Sequence, residues 1–88
     1  MNTLYILMAQ YNGQAVIPLD RVCVDYMNLT VEKFKHKVLS GEIDIPLIRL
    51  GAESQKAHLG IHLQDLANYI DRQRQRATVE HNKLMGRQ

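Results

Sequence analysis

"PLDRVCVDYMNLTVEKFKHKVLSG", Pro18 to Gly41, carries two apolar stripes at helical spacing with a short break between them. In the first, Leu19, Val22, Cys23 and Tyr26 recur at i, i+3, i+4 and i+7, the spacing of one helix face. Pro18 suits the opening turn, because the N–H it lacks would have no partner there. Asn28-Leu29 interrupts the pattern. Thr30 then fits an N-cap, and Glu32 follows in the first turn, where a carboxylate complements the helix dipole. Val31, Phe34 and Val38 form the inward stripe of a second helix, Val31 to Ser40, which Gly41 stops. Lys33, Lys37 and Glu42 face outward. Two short helices in close succession, 18–28 and 31–40, decide the fold.

Upstream, Leu4, Leu7, Met8 and Tyr11 form a stripe with Thr3 as its expected N-cap and Asn12-Gly13 as its stop. Downstream of Gly41 the period changes from helical to two: Ile43, Ile45, Leu47 and Arg49 share one side of an expected strand over 43–50, with Pro46 at an edge or a strand start. Ile61 and Leu63 predict a short return strand over 60–63. Gly51 to Gly60 is then a loop rather than a tight turn. A last helix starts near His62 or Leu63, with Leu63, Leu66, Ala67 and Ile70 inward and Asp65 in its first turn. Beyond Ile70, "DRQRQRATVEHNK" keeps helix formers but loses the apolar stripe, so it reads as an exposed helical extension or a fraying tail. The expected fold is mostly α with a small β-hairpin, a winged helix-turn-helix-like domain over 1–76 with 77–88 as an extension.

With 88 residues the chain supports one small core. Its 45% apolar and 23% charged residues are those of a globular domain. The single cysteine, Cys23, excludes an intrachain disulfide, fits a reducing cytoplasm and, lying between two valines, reads as buried filler. The apolar run Leu4 to Ala9 follows no Lys or Arg and falls far short of the roughly 20 residues that span a membrane, so a cytoplasmic, non-membrane protein is expected. The net charge of +2 is unevenly spread: residues 1–29 hold one basic and two acidic side chains, 30–60 five and four, 61–88 five and three.

Enzymatic constellations are missing. There is no P-loop, GxGxxG, GxSxG or HExxH, and the carboxylates lie beside bases or at helix starts. His58 and His62 have the spacing of two ligands on one helix face, but Gly60 intervenes and no third ligand follows. No catalytic activity, cofactor or metal is expected.

The element order is that of a winged helix-turn-helix, in which the second of two turn-linked helices enters the major groove of duplex DNA. On or near that helix stand Thr30, Lys33, Lys35, His36 and Lys37, able to meet phosphates or guanine edges. The expected wing carries Arg49, Ser54, Gln55, Lys56 and His58. Arg72 and Arg76 share a face of the last helix and add a cationic patch, while Arg74 diverges from them. The same lysines also read as an ordinary solvated face, and the wing as a plain solvated loop. A domain this small reads few base pairs, so a homodimer or higher homo-oligomer on DNA is expected, joined through the first or the last helix.

The runs "LMAQYNGQAVIPLDRVCVDYMNLTVEKF", "KVLSGEIDIPLIRL" and "ESQKAHLGIHLQDLANYIDRQR" resemble the pyocin activator family of PrtN-like proteins, from Thr3 to about Arg74. The resemblance implies a bacterial or phage-encoded activator of phage-tail-like bacteriocin or prophage genes, acting in an SOS-linked circuit and engaging RNA polymerase. It falls on Ser54, Gln55, Lys56 and Ala57 in the expected wing, and on Thr30, Glu32, Lys33 and Phe34 at the start of the expected recognition helix. Two other readings stand beside it. One is a Cox-like or excisionase-like architectural factor that bends DNA; the other is a protein-interaction adaptor docking through exposed Tyr and Met residues.

Overall fold

The computed structural model describes residues 2–51 and 58–87. Helix α1, Thr3–Gln10, is capped by Asn2, whose side chain accepts the Leu4 N–H at 2.8 Å. Thr3, the expected cap, instead donates its hydroxyl to Asp71 at 2.6 Å. Two capping residue types stand side by side here, and the one with extended backbone takes the role. Leu7 and Tyr11 are buried and Leu4 is half-buried, whereas Met8 of the same expected stripe is exposed.

Strand β1, Val16–Pro18, is not among the expected elements, and it takes Pro18 out of the expected helix 18–28: the proline becomes the residue before a helix that starts at Leu19 rather than part of its first turn. The strand runs antiparallel to β3, His58–His62, with Ile17 opposite Ile61, while β2, Ile48–Leu50, pairs along the other side of β3. The expected hairpin is therefore part of a three-stranded sheet of order β1-β3-β2. Three residues ending in proline carry too little alternation to read locally; a partner distant in the chain makes them a strand. Within β3, Gly60 lets β1 approach. A Cβ at that position would stand 2.6 Å from Val16 Cγ1 and 3.0 Å from the Ile17 carbonyl oxygen.

The strand expected over 43–50 is ordered as a strand only over Ile48–Leu50. Ile43 and Ile45 are buried, so their alternation does mark an inward face. Their backbone, however, is tied to helices: the Ile43 N–H reaches the Lys37 carbonyl at 3.1 Å, and the Asp44 carbonyl accepts Arg72 at 2.6 Å. Pro46 has no N–H to offer a ladder. The return strand also starts and ends earlier than expected, because Leu63 is the first, buried residue of helix α4, Leu63–Leu84. His62 caps that helix through Nδ1, which accepts the Gln64 N–H at 3.0 Å.

The uniform helix expected over 18–28 is two pieces, α2, Leu19–Val22, and a π-helical segment, Cys23–Met27. The wider turn moves the inward register by one residue. Leu19, Val22 and Cys23 are buried as expected, but the next inward position falls on half-buried Met27, leaving Tyr26 40% exposed. Asn28, left-handed at φ +51°, ends the segment. Helix α3, Val31–Leu39, follows the expected pattern: the Thr30 side chain accepts the Lys33 N–H at 3.2 Å, Phe34 is fully buried, and Gly41 at φ +81° turns the chain.

Helix α4 packs its first two turns on α1 and β3 through Leu63, Leu66 and Ala67, with Tyr69 and Ile70 half-buried. From Asp71 to Leu84 every side chain is exposed except half-buried Asn82, and the helix continues unbroken through 76 and 77. Phe34, Tyr11, Leu7, Ile17, Ile61 and Leu66 form the centre of the core. No helix among the described residues is long and apolar enough to cross a membrane.

Candidate nucleic-acid interface

Phe34 fixes how α3 is presented. With Phe34 buried and Val31 and Val38 half-buried beneath it, the exposed positions of the helix are Glu32, Lys33, His36 and Leu39. Lys33 and His36 therefore project together from the outer face. Lys35 and Lys37 are half-buried on its two flanks. Lys37 is ion-paired with exposed Glu42, so part of its charge is already answered within the chain. Thr30 sits at the start of the helix with its hydroxyl oxygen engaged by the Lys33 N–H.

A cleft of about 730 Å³ separates α3 from the β2 side of the sheet. Glu32 and Lys35 line its helix wall, Arg49 its strand wall, and Val38, Ile45, Leu47 and Leu59 contribute to its lining. The structure thus brings Lys35 and Arg49 to one cleft, an arrangement with cations on both walls and a carboxylate on one. Leu39, also lining the cleft, is 85% exposed and lies outside the inward stripe of Val31, Phe34 and Val38.

Other expected site residues are held elsewhere. Arg72 donates to the Asp44 carbonyl and lies over the Tyr69 ring, 5.9 Å from its centroid, so it pins the segment after α3 to α4. Arg76 is exposed on the outer half of α4. The backbone of His58 pairs with Leu50 in the sheet; its side chain lies outside the described residues. Ser54, Gln55 and Lys56 also lie outside the described residues.

Behind α3, a polar cluster that the periodicity did not reveal joins α1 to the π-helical segment. The Tyr11 hydroxyl donates to Asp25 at 2.7 Å, the Arg21 guanidinium lies over the Tyr11 ring at 5.2 Å, and the Tyr26 hydroxyl donates to Gln10. Burial, reinforced by the bond to Asp25, raises the Tyr11 pKa above its ordinary value. Burial likewise raises that of Tyr26. The Cys23 thiol is pushed up by burial and by the nearby Asp20 charge, which keeps it protonated and unreactive.

A family model described as pyocin activator protein PrtN matches residues 3–77, and the chain belongs to this family. The family's description points to regulators of pyocin genes. Neither a curated protein nor a solved structure matches the chain.

Proposed function

We propose that the chain is a sequence-specific duplex-DNA-binding activator of transcription of phage-tail-like bacteriocin or prophage genes, built as a winged helix-turn-helix and working in the cytoplasm. The observation that carries this reading is the order helix, strand, helix with its π-helical continuation, helix, strand, strand, helix, with the first strand paired to the last. In this reading α3 is the reading helix and the β2–β3 pair is the wing. In this reading Lys33 and His36 meet base edges or phosphates in the major groove, and Thr30 brings the first turn of α3 against a phosphate. Lys35 and Arg49 hold the DNA backbone between helix and wing. Ser54, Gln55, Lys56 and His58, in or beside the β2–β3 connection, meet the backbone further out. Arg72 serves the fold first, and Arg76 adds positive charge at the periphery. RNA polymerase is the partner through which bound protein activates, in the SOS-linked circuit that family membership suggests.

Footprinting on duplex DNA tests the reading. A single promoter-proximal site supports the activator, whereas a cooperative array at a recombination site favours an architectural factor. Lys33→Ala is expected to weaken specific binding and relax sequence preference, by about 1–3 kcal/mol at the base it reads, while Lys56→Ala weakens specific and random duplexes alike. Equal losses on both duplexes from both substitutions would contradict the division of roles.

A further inference from the structure

Helix α3 sorts its side chains by position as well as by charge. Away from the buried Phe34 runs an exposed ridge of Glu32, His36 and Leu39 at i, i+4 and i+7, and Glu32 and Leu39 of this ridge also line the cleft. The lysines stand to either side of it: Lys33 and Lys37 on one shoulder, Lys35 on the other, with Arg49 across the cleft from Lys35. A carboxylate and an 85% exposed leucine therefore occupy the outermost line of an otherwise cationic helix. Among the described residues Glu32 makes no side-chain hydrogen bond or ion pair, although Lys35 and His36 follow it by one turn. The helix dipole favours a carboxylate in the first turn but gives no reason for an exposed leucine further along the same ridge.

Phosphate oxygens are negatively charged acceptors, so neither a carboxylate nor an apolar side chain suits them. Base edges suit both. In the major groove cytosine offers an amino donor to a carboxylate, and thymine offers a methyl group to an apolar side chain. The groove is roughly 12 Å wide and a helix with its side chains about 10–12 Å across, so a seated helix turns one ridge to the groove floor and its shoulders to the phosphates on both sides. Helix α3 has that division, with partners for base edges on the ridge and cations on the shoulders.

We infer, resting on the DNA-binding reading above, that Glu32 is a specificity-determining residue whose carboxylate accepts an amino N–H of a cytosine in the major groove. Facing guanine or thymine it would meet acceptor atoms, and at adenine the amino group lies beside the N7 acceptor, so cytosine is the base it favours. The lysines attract any duplex, whereas Glu32 lowers affinity everywhere except at its own base pair.

Selection of bound fragments from random duplexes, followed by affinity measurements on single base-pair variants of the selected site, tests this role in the full chain. The wild type is expected to favour cytosine at one position by about tenfold or more over the other bases. Glu32→Gln should move that preference to adenine, whose N6 and N7 match a side-chain amide, and leave the other positions unchanged. Glu32→Ala should abolish the preference at that position while tightening binding to random duplexes, because a negative charge facing DNA is removed. A wild type that selects a site whose base preferences survive unchanged in both variants would overturn the role of Glu32 and leave DNA binding standing. A wild type that binds no duplex would overturn both.

Discussion

Helix α3 and the outer half of α4 are both basic and rich in helix formers, yet the fold treats them differently. In α3 one aromatic ring, Phe34, is fully buried, and its burial orients the polar side chains of the helix: Lys33 and His36 outward, Glu32 and Lys35 to the cleft, Lys37 to Glu42. In α4 beyond Ile70 no described aromatic ring is buried, and past Arg72, which holds the Asp44 carbonyl, Arg74 and Arg76 stand exposed on different sides of the helix. Charge count therefore says little about either segment. What separates a presented surface from a merely soluble one is the buried side chain beneath it.

The comparison breaks most severely at Phe34. Phe34→Ala empties the centre of the core and is expected to cost about 3–5 kcal/mol, enough to unfold a domain this small, with chemical denaturation as the check. Retention of a cooperative transition at nearly wild-type stability would mean that α3 is oriented by something else. A smaller effect is expected at the sheet. Gly60→Ala forces a methyl against Val16 and the Ile17 carbonyl, and should destabilise by about 1–3 kcal/mol while tilting β1 away from β3. Slowed amide exchange at Ile17 and Ile61 in that variant would contradict the close approach.

Smaller still is the contribution of the polar cluster behind α3. Tyr11→Phe removes the bond to Asp25 and is expected to cost about 0.5–1.5 kcal/mol at neutral pH. It should also change the alkaline limb of the stability profile. Because the folded-state pKa of Tyr11 lies above its unfolded value of about 10, its contribution is complete below that pH and is lost as pH rises through the folded pKa. Thermal melts above pH 10 should therefore fall less steeply in Tyr11→Phe than in the wild type. Parallel profiles would remove the assigned cause.

Much of this was legible in the sequence, for reasons that differ by element. The Thr30 cap, Phe34, the Gly41 turn and the start of α4 follow from local rules, because capping and amphipathic spacing are properties of neighbouring residues. The π-helical segment escaped because one extra residue in a turn changes the inward register without changing composition, which is why Met27 rather than Tyr26 turns inward. Strand β1 escaped because its pairing is long-range, and the segment 43–47 imitated a strand because Ile43 and Ile45 both face the core while their backbone bonds go to helices. Among the site residues, the basic character of α3 could be read directly. That Lys37 is paired with Glu42, that Arg72 holds Asp44, and that Lys35 and Arg49 share a cleft are facts of tertiary contact.

The surface oriented by Phe34 is the one proposed to bind duplex DNA, and the salt dependence of binding tests that most directly. Each phosphate neutralised contributes about −0.9 to the slope of log affinity against log salt. Contacts from Lys35, Arg49 and the β2–β3 connection predict a slope of several such units, made shallower by about one in Lys35→Ala, whose side chain is assigned to the DNA backbone. A slope near zero for the wild-type chain would contradict DNA binding altogether.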